Sequence, residues 1–401
     1  MLSGPTNKHK TVTTKPATIN TPTPNTSAKK IRVGFVMHVM QVAGAEVLVT
    51  QIIEQLANRI EATVFCLDSL GELGQKLLDA GIPVIVLNRK PGLDRDVAKR
   101  LAKEVKSRQI EVLHAHQYTP FFYSALSRML HRSKTKILFT EHGRHYPDIV
   151  STKRRMANRL VLQLYADIST ACCDFSAKAL REIEGFPKAI TLPNGVDLRE
   201  LPKRGSQAET DQLREKLGMQ TGIPYAACIA RFHPVKDHET LIRGWQVVNQ
   251  SLPTAKLLLV GDGECREKCE ALCRELGLTD SIEFWGIRHD VPEILRAIDV
   301  FALTSVSEAA SLTLLEAMAS GCPAVLTDVG GNAEHVTHGI EGFLAPRSDS
   351  QAIGERLLEL LRSPDHCEVL GAAARKRVER DFDLTHVIEQ YAAHFKKLAK
   401  C

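Results

Sequence analysis

The chain is predicted to fold as α/β, in two domains that each hold a doubly wound parallel sheet. Three observations predict this. Short apolar runs alternate with helix-period segments from residue 31 to the end, a pattern that calls for crossover connections and therefore for parallel strands. At 401 residues, with 44% hydrophobic and 25% charged residues, there is apolar material for two cores. A polar, turn-rich break near the middle divides the alternation into two sets.

In the first half the strand-like runs are Arg32–His38, Ala62–Leu67, Pro83–Leu87, Val112–Ala115, Ile137–Thr140 and Ile168–Thr170. Helical patterns such as Glu46–Ala57 and Asp96–Arg108 separate them. Pro193-Asn194-Gly195-Val196-Asp197 is a strong turn signal, and the polar stretch Lys203–Thr210 follows it, which sets the boundary near Asn194–Gly205. The second half repeats the scheme with strands Tyr225–Ala230, Leu257–Val260, Ile282–Phe284, Val300–Thr304 and Ala324–Thr327, and with helices such as His238–Asn249 and Glu264–Leu276. The expected organisation is a disordered basic tail over 1–30, domains over 31–200 and 201–382, and a final helix over 383–401. Val387, Ile388, Tyr391, Phe395 and Leu398 give that helix an apolar stripe suited to packing back on the first domain.

Composition excludes several classes. No apolar run is long enough to span a bilayer, and the Thr-, Pro- and Lys-rich start lacks the apolar segment of a signal peptide. Ten cysteines without such a signal point to reduced thiols and a cytoplasmic location. Cys265, Cys269 and Cys273 share a helix face but have no fourth ligand nearby, and Cys172-Cys173 is read as small apolar packing. The net charge of +5 divides into +11 over residues 1–200 and −6 over 201–401. Much of the surplus lies between Arg128 and Arg159, including Arg132, Lys134, Lys136, Arg144, Lys153, Arg154 and Arg155. Such a field suits an anionic acceptor or peripheral contact with an anionic membrane, and equally a solvated helix face. Nucleic acid is not expected, because few aromatics are interleaved with the charge.

The chemistry concentrates where strands end. Ser305-Val306-Ser307-Glu308 leaves the Val300–Thr304 strand, and Ser311-Leu312-Thr313 opens a helix that reaches Glu316 two turns later. Free N–H groups at the start of that helix favour phosphate. Arg231 and Lys236 lie five apart on a loop that Pro234 keeps from becoming a helix, as a clamp for a diphosphate would require. Gly44, in Val42-Ala43-Gly44-Ala45-Glu46, lets backbone approach a phosphate without obstruction. Gly261 and Gly263 form a similar turn, but Arg266 stands where a dinucleotide fingerprint needs its third glycine, which argues against NAD. Ile287 and Arg288 follow the Ile282–Phe284 strand, and His142 follows Thr140-Glu141. Of His114 and His116 only one imidazole, His116, is expected to reach the cleft. A zinc site from His114, His116, His142 and His145 is the metal alternative. The acids of Asp94-Arg95-Asp96 and Asp381-Phe382-Asp383 are read as helix-start residues rather than metal ligands.

Glu308 and Glu316 in Glu-x7-Glu spacing, with Leu-Leu-Glu-Ala-Met-Ala-Ser-Gly over Leu314–Gly321, resemble the nucleotide-sugar motif of retaining, GT-B-fold glycosyltransferases of family 4, the glycosyl transferases group 1. The resemblance extends from Ile31 to about Lys400. Ala43, Ala230, Asp237 and Ala309 stand where the family has glycine. It implies two Rossmann-like domains facing across a cleft and a nucleotide-diphosphate sugar held by the second domain, with no cofactor or metal. It implies that Glu316 and the N–H groups near Ser311, Leu312 and Thr313 hold ribose and phosphate, with Gly261 and Gly263 nearby and Ile287 and Arg288 at the base. It implies that Arg231 and Lys236 neutralise the leaving diphosphate, and that Glu308 and His142 orient the donor sugar. The acceptor would be a glycan, a lipid-linked sugar or a small molecule. A nucleotide-sugar epimerase and a non-catalytic nucleotide- or carbohydrate-binding homologue are the alternatives on the same fold.

Overall fold

Thirteen strands form two sheets among the described residues, 29–143 and 151–400 of the computed structural model. The first sheet comprises β1 (Ile31–Val39), β2 (Ile60–Ser69), β3 (Val84–Val86), β4 (Val112–His116), β5 (Lys136–Glu141), β6 (Ile168–Ala171) and β7 (Ile190–Thr191). The second comprises β8 (Tyr225–Ile229), β9 (Lys256–Val260), β10 (Ile282–Gly286), β11 (Val300–Leu303), β12 (Ala324–Thr327) and β13 (Gly342–Ala345). Their orders are β3-β2-β1-β4-β5-β6-β7 and β10-β9-β8-β11-β12-β13, with every pairing parallel. In both sheets the strand order reverses at the centre, beside β1 and β4 and beside β8 and β11. That is where doubly wound folds open a ligand crevice at the strands' carboxyl ends.

Helices cover both faces of each sheet, so central strands such as β4, β8 and β11 are buried at every residue. Two strands went unread in the sequence. β7 is only two residues long, and β13 begins at Gly342, where a Cβ would stand 2.2 Å from the Ala324 carbonyl oxygen. The tail over 1–28, Arg144, His145 and Cys401 lie outside the described residues.

The last helix, Leu384–Ala399, belongs to the first core. Leu384, Val387, Ile388, Tyr391, Phe395 and Leu398 are buried with Val33, Phe35 and Leu138, and Phe395 meets Phe35 edge-on at 6.1 Å. The chain therefore crosses between lobes twice, and the crossings are bonded to each other. Val196 N–H donates to the Phe382 carbonyl (3.0 Å), and Leu384 N–H donates to that of Val196 (3.1 Å). Asp94 accepts from the N–H of Asp96 at the start of its helix, and Asp383 accepts from that of Thr385 (2.8 Å), so both acids act as helix caps. The nine described cysteines are free. No helix among the described residues is long and apolar enough to cross a membrane.

Phe395→Ala is expected to cost about 3–5 kcal/mol, because it empties a site sealed on all sides. Chemical denaturation should register the loss in the first lobe although the residue lies near the carboxyl end.

Candidate active site

In the second lobe three loops converge. Thr304 Oγ1 donates to the carbonyls of Lys236 (3.3 Å) and Asp237 (2.9 Å), and Val306 N–H donates to the carbonyl of Val235 (2.8 Å). These bonds fasten the loop after β8 to the loop after β11. Lys236 Nζ then reaches Glu308 Oε2 at 2.5 Å, and Ser305 Oγ donates to the same oxygen at 3.0 Å. The third loop follows β12. Gly331 N–H donates to the Glu308 carbonyl (3.0 Å), and a Cβ on Gly330 or Gly331 would lie only 1.9 Å or 1.8 Å from the carbonyl oxygens of Glu308 or Ala309. Gly330 also has φ +53°, in the left-handed region. This Gly-Gly pair was missed in the sequence, though a dipeptide of that kind after an apolar strand is a turn signal.

The helix Leu312–Ala319 buries Leu314, Leu315, Ala317 and Met318 against β11 and β12. Ser311 caps it, with Oγ accepting from Leu314 N–H (3.3 Å) and bonded to Thr313 Oγ1 (3.0 Å). The N–H groups of Leu312 and Thr313 have no intrahelical acceptor. Leu312, Thr313 and Glu316 share the helix's one half-exposed face, as spacings of three and four residues require. The Glu316 carboxyl has no hydrogen-bond partner among the described residues, and burial pushes its pKa up to about 7.

The first lobe brings bare backbone and an imidazole stack. A Cβ on Gly44 would stand 3.1 Å from Leu312 Cδ1, and one on Gly143 would stand 3.5 Å from Ala309 Cβ. Glu334, unremarked in the sequence, accepts from the N–H groups of Asp174 and Phe175 (2.6 Å each) and ties the second lobe to a first-lobe helix start. The ring of His142 lies behind Gly143, its Nε2 2.7 Å from His116 Nδ1, and burial lowers its pKa to about 4.

His116 does not line the cleft: it is 1% exposed and stands behind His142. The expectation that His114 and His116 diverge also fails. Residues i and i+2 of a strand share a face, and these two rings lie 3.9 Å apart. His114 Nε2 bonds Thr140 Oγ1 at 2.8 Å, and burial lowers the pKa of both histidines.

The other expected residues lie on the loops that follow β8, β9 and β10. Arg231 is exposed on its loop, with no ion pair among the described residues. Gly261 and Gly263 are required by packing, since a Cβ at either would lie 2.2 Å or 2.4 Å from the carbonyl oxygens of Ala230 or Phe232, the residues flanking Arg231. Ile287 is 71% exposed. Arg288 is engaged by Asp290 (Nε to Oδ1, 2.8 Å) and sits 5.1 Å over the Trp285 ring. Among the described residues no three His, Cys, Asp or Glu side chains converge as metal ligands.

The family described as Glycosyl transferases group 1 matches residues 209–377, and Glycosyltransferase Family 4 matches residues 42–200. The N-acetyl-alpha-D-glucosaminyl L-malate synthase of Bacillus anthracis is 27% identical over 373 residues, covering 90% of this chain and 96% of that protein. The UDP-Gal:alpha-D-GlcNAc-diphosphoundecaprenol alpha-1,3-galactosyltransferase of Escherichia coli is 24% identical over 380 residues, covering 90% and 95%. The crystal structure of Anabaena Alr3699/HepE in complex with UDP superposes with a TM-score of 0.81 at 22% identity, over 92% of this chain and all of that one.

Gly330→Ala is expected to destabilise the chain by about 1–3 kcal/mol, because it combines positive φ with a collision against the Glu308 carbonyl. A melting-temperature comparison checks it. Glu316 titrates near 7 when folded and near 4.5 when unfolded, so the native state binds the proton more tightly between those values. Its contribution is full below about pH 4.5 and is lost as pH rises through about 7. Relative to Glu316→Gln, the wild type should therefore lose on the order of 2 kcal/mol across that window, read from melting temperatures at each pH.

Proposed function

Since the chain belongs to the glycosyl transferases group 1 family with a family 4 amino-terminal half, we propose that this glycosyltransferase moves a hexosyl unit to a glycan, lipid-linked or small-molecule acceptor. The transfer proceeds with retention of anomeric configuration and without a metal. Nucleotide-sugar donors are the rule at family level. The observation that carries the reading is the half-buried, unpartnered Glu316 carboxyl, on the same helix face as the free N–H groups of Leu312 and Thr313 and across from bare backbone at Gly44.

That arrangement suits a nucleoside diphosphate. The two ribose hydroxyls donate to Glu316, and the diphosphate lies against the Leu312 helix start with Gly44 closing over it. Lys236 and Arg231 neutralise the phosphates. Lys236 now neutralises Glu308, so donor entry exchanges one ion pair for two charge-assisted contacts, Lys236 to phosphate and Glu308 to sugar hydroxyls. His142 is neutral at physiological pH and presents Nδ1, the nitrogen not bonded to His116, to the sugar. The bond from the anomeric carbon to the leaving phosphate oxygen breaks, and the acceptor oxygen bonds that carbon on the same face. The departing phosphate takes the acceptor's proton. Fixed cations stabilise the charge that develops on the diphosphate, as a divalent ion would.

The relatives' own substrates support the scope. UDP is bound in the Anabaena structure, UDP-Gal and a diphosphoundecaprenol acceptor are in the name of the Escherichia coli enzyme, and L-malate is in that of the Bacillus anthracis enzyme. A lipid-linked acceptor fits action at the cytoplasmic face of a membrane, and the free cysteines fit a reducing compartment.

A thermal-shift panel of UDP, GDP, ADP and their sugars is expected to reveal stabilisation by one nucleotide class, undiminished by EDTA. Glu316→Ala should abolish it, and an unchanged shift in that variant would remove the ribose assignment. Glu308→Ala should keep the shift and lose on the order of 10²–10³-fold in transfer rate. Accumulation of a donor epimer without transfer would replace this reading by an epimerase.

A further inference from the structure

One first-lobe segment has its polarity inverted. The helix Thr152–Leu160 is held to the body by polar groups, and the 3-10 turn that follows, Leu162–Tyr165, buries Leu162 in the first-lobe core. Asn158 is buried, accepting from Tyr118 Oη (2.8 Å) and donating to the Glu184 carbonyl (2.8 Å). Arg154 pairs with Glu184 (Nη2 to Oε1, 2.5 Å) and lies 4.3 Å over the Tyr118 ring. The outward side is apolar. Met156, Leu160 and Leu164 follow one another at four-residue spacing and are 57%, 67% and 72% exposed, and Val161 beside them is 43% exposed. An ordinary surface helix does the reverse, burying its apolar stripe and turning polar residues to water.

Cations flank the stripe. Lys153, Arg155 and Arg159 are exposed and make no ion pair among the described residues. Arg155 and Arg159, with Arg181, Glu182, Gly185 and Pro187, line a cavity of about 290 Å³. Gly185 permits it: its φ is +88°, and a Cβ there would stand 2.9 Å from the Arg155 carbonyl oxygen and 3.1 Å from Arg159 N. The Arg181 guanidinium is steadied by the Ala189 carbonyl (2.9 Å). Three guanidinium groups against one carboxyl make this hollow a fit for a phosphodiester.

We propose that this segment docks on an anionic phospholipid surface. Met156, Leu160 and Leu164 enter the boundary between headgroups and acyl chains, and Arg155, Arg159 and Arg181 take a lipid phosphodiester. An acidic protein would match the cations but not the outward leucines, whereas a bilayer face matches both. The proposal rests on the reading of a membrane-borne acceptor given above, since it locates where that acceptor arrives. In sequence, nine residues separate His142, at the crevice, from Thr152 at the start of this helix.

The test is co-sedimentation of the full chain with vesicles of phosphatidylglycerol and phosphatidylcholine, compared with phosphatidylcholine alone. The wild type is expected to pellet with the anionic vesicles only, and less as salt rises. Each cation at such a surface contributes about a fivefold gain in partition, so Arg155→Glu with Arg159→Glu should lower it by on the order of 25-fold or more. Leu160→Asp with Leu164→Asp should lower it about tenfold or more. All four positions are exposed, so both variants should melt like the wild type and keep its nucleotide-induced shift. Equal pelleting on neutral and anionic vesicles would overturn the proposal, as would partition of the leucine variant within about twofold of the wild type. Failure on vesicles with an intact nucleotide shift removes only the docking surface. Absence of the nucleotide shift removes the transferase reading and leaves the vesicle result standing.

Discussion

The ion pair between Lys236 and Glu308 is the charge interaction around which the candidate site is arranged. It joins the loops leaving two adjacent strands, β8 and β11, and the bonds from Thr304 and Val306 leave those loops little freedom to separate. Both charges are largely withdrawn from water, so neither can be left alone without a penalty larger than that of an exposed pair. An incoming ligand must offer a replacement for each, an anion for the lysine and hydroxyl donors for the glutamate. A phosphorylated sugar meets both demands with one molecule. A bare phosphate meets only the first and a free sugar only the second. Under the proposed function, the pair would therefore select for connected ligands as well as for charge.

Around that pair the close approaches are made by backbone. Gly330 and Gly331 let the third loop lie directly on the carbonyls of Glu308 and Ala309, and Gly261 and Gly263 do the same beneath the loop bearing Arg231. Side chains at these places would hold the loops apart and widen the site. His142, backed by the buried rings of His116 and His114, supplies the opposite wall. Burial keeps all three rings neutral, so that wall adds polarity without adding positive charge that would compete with the cations facing it.

Most of the scaffold was legible because a strand buried on both faces must be written in apolar residues. β4, β8 and β11 announce themselves in that way. β7 and β13 did not, one being too short to hold a pattern and the other starting on a glycine demanded by a neighbouring carbonyl. Glu308 and Glu316 were legible from spacing, but the partner of Glu308 was not, because Lys236 is distant in the chain and only the parallel order β8-β11 makes them neighbours. The fate of His116 was misjudged through strand geometry: alternation turns each next residue to the other face and returns every second one. Glu334 carried no local signal, since what it binds is the start of a helix in the other lobe.

The two crossings between lobes, bonded to one another at Val196 and Asp383, have a mechanical meaning. Gly195 sits so close to Leu384 that even a methyl group would collide with its Cα. A pair of ribbons clipped together at one point resists twisting far more than bending. Sliding one half sideways past the other would have to break these bonds.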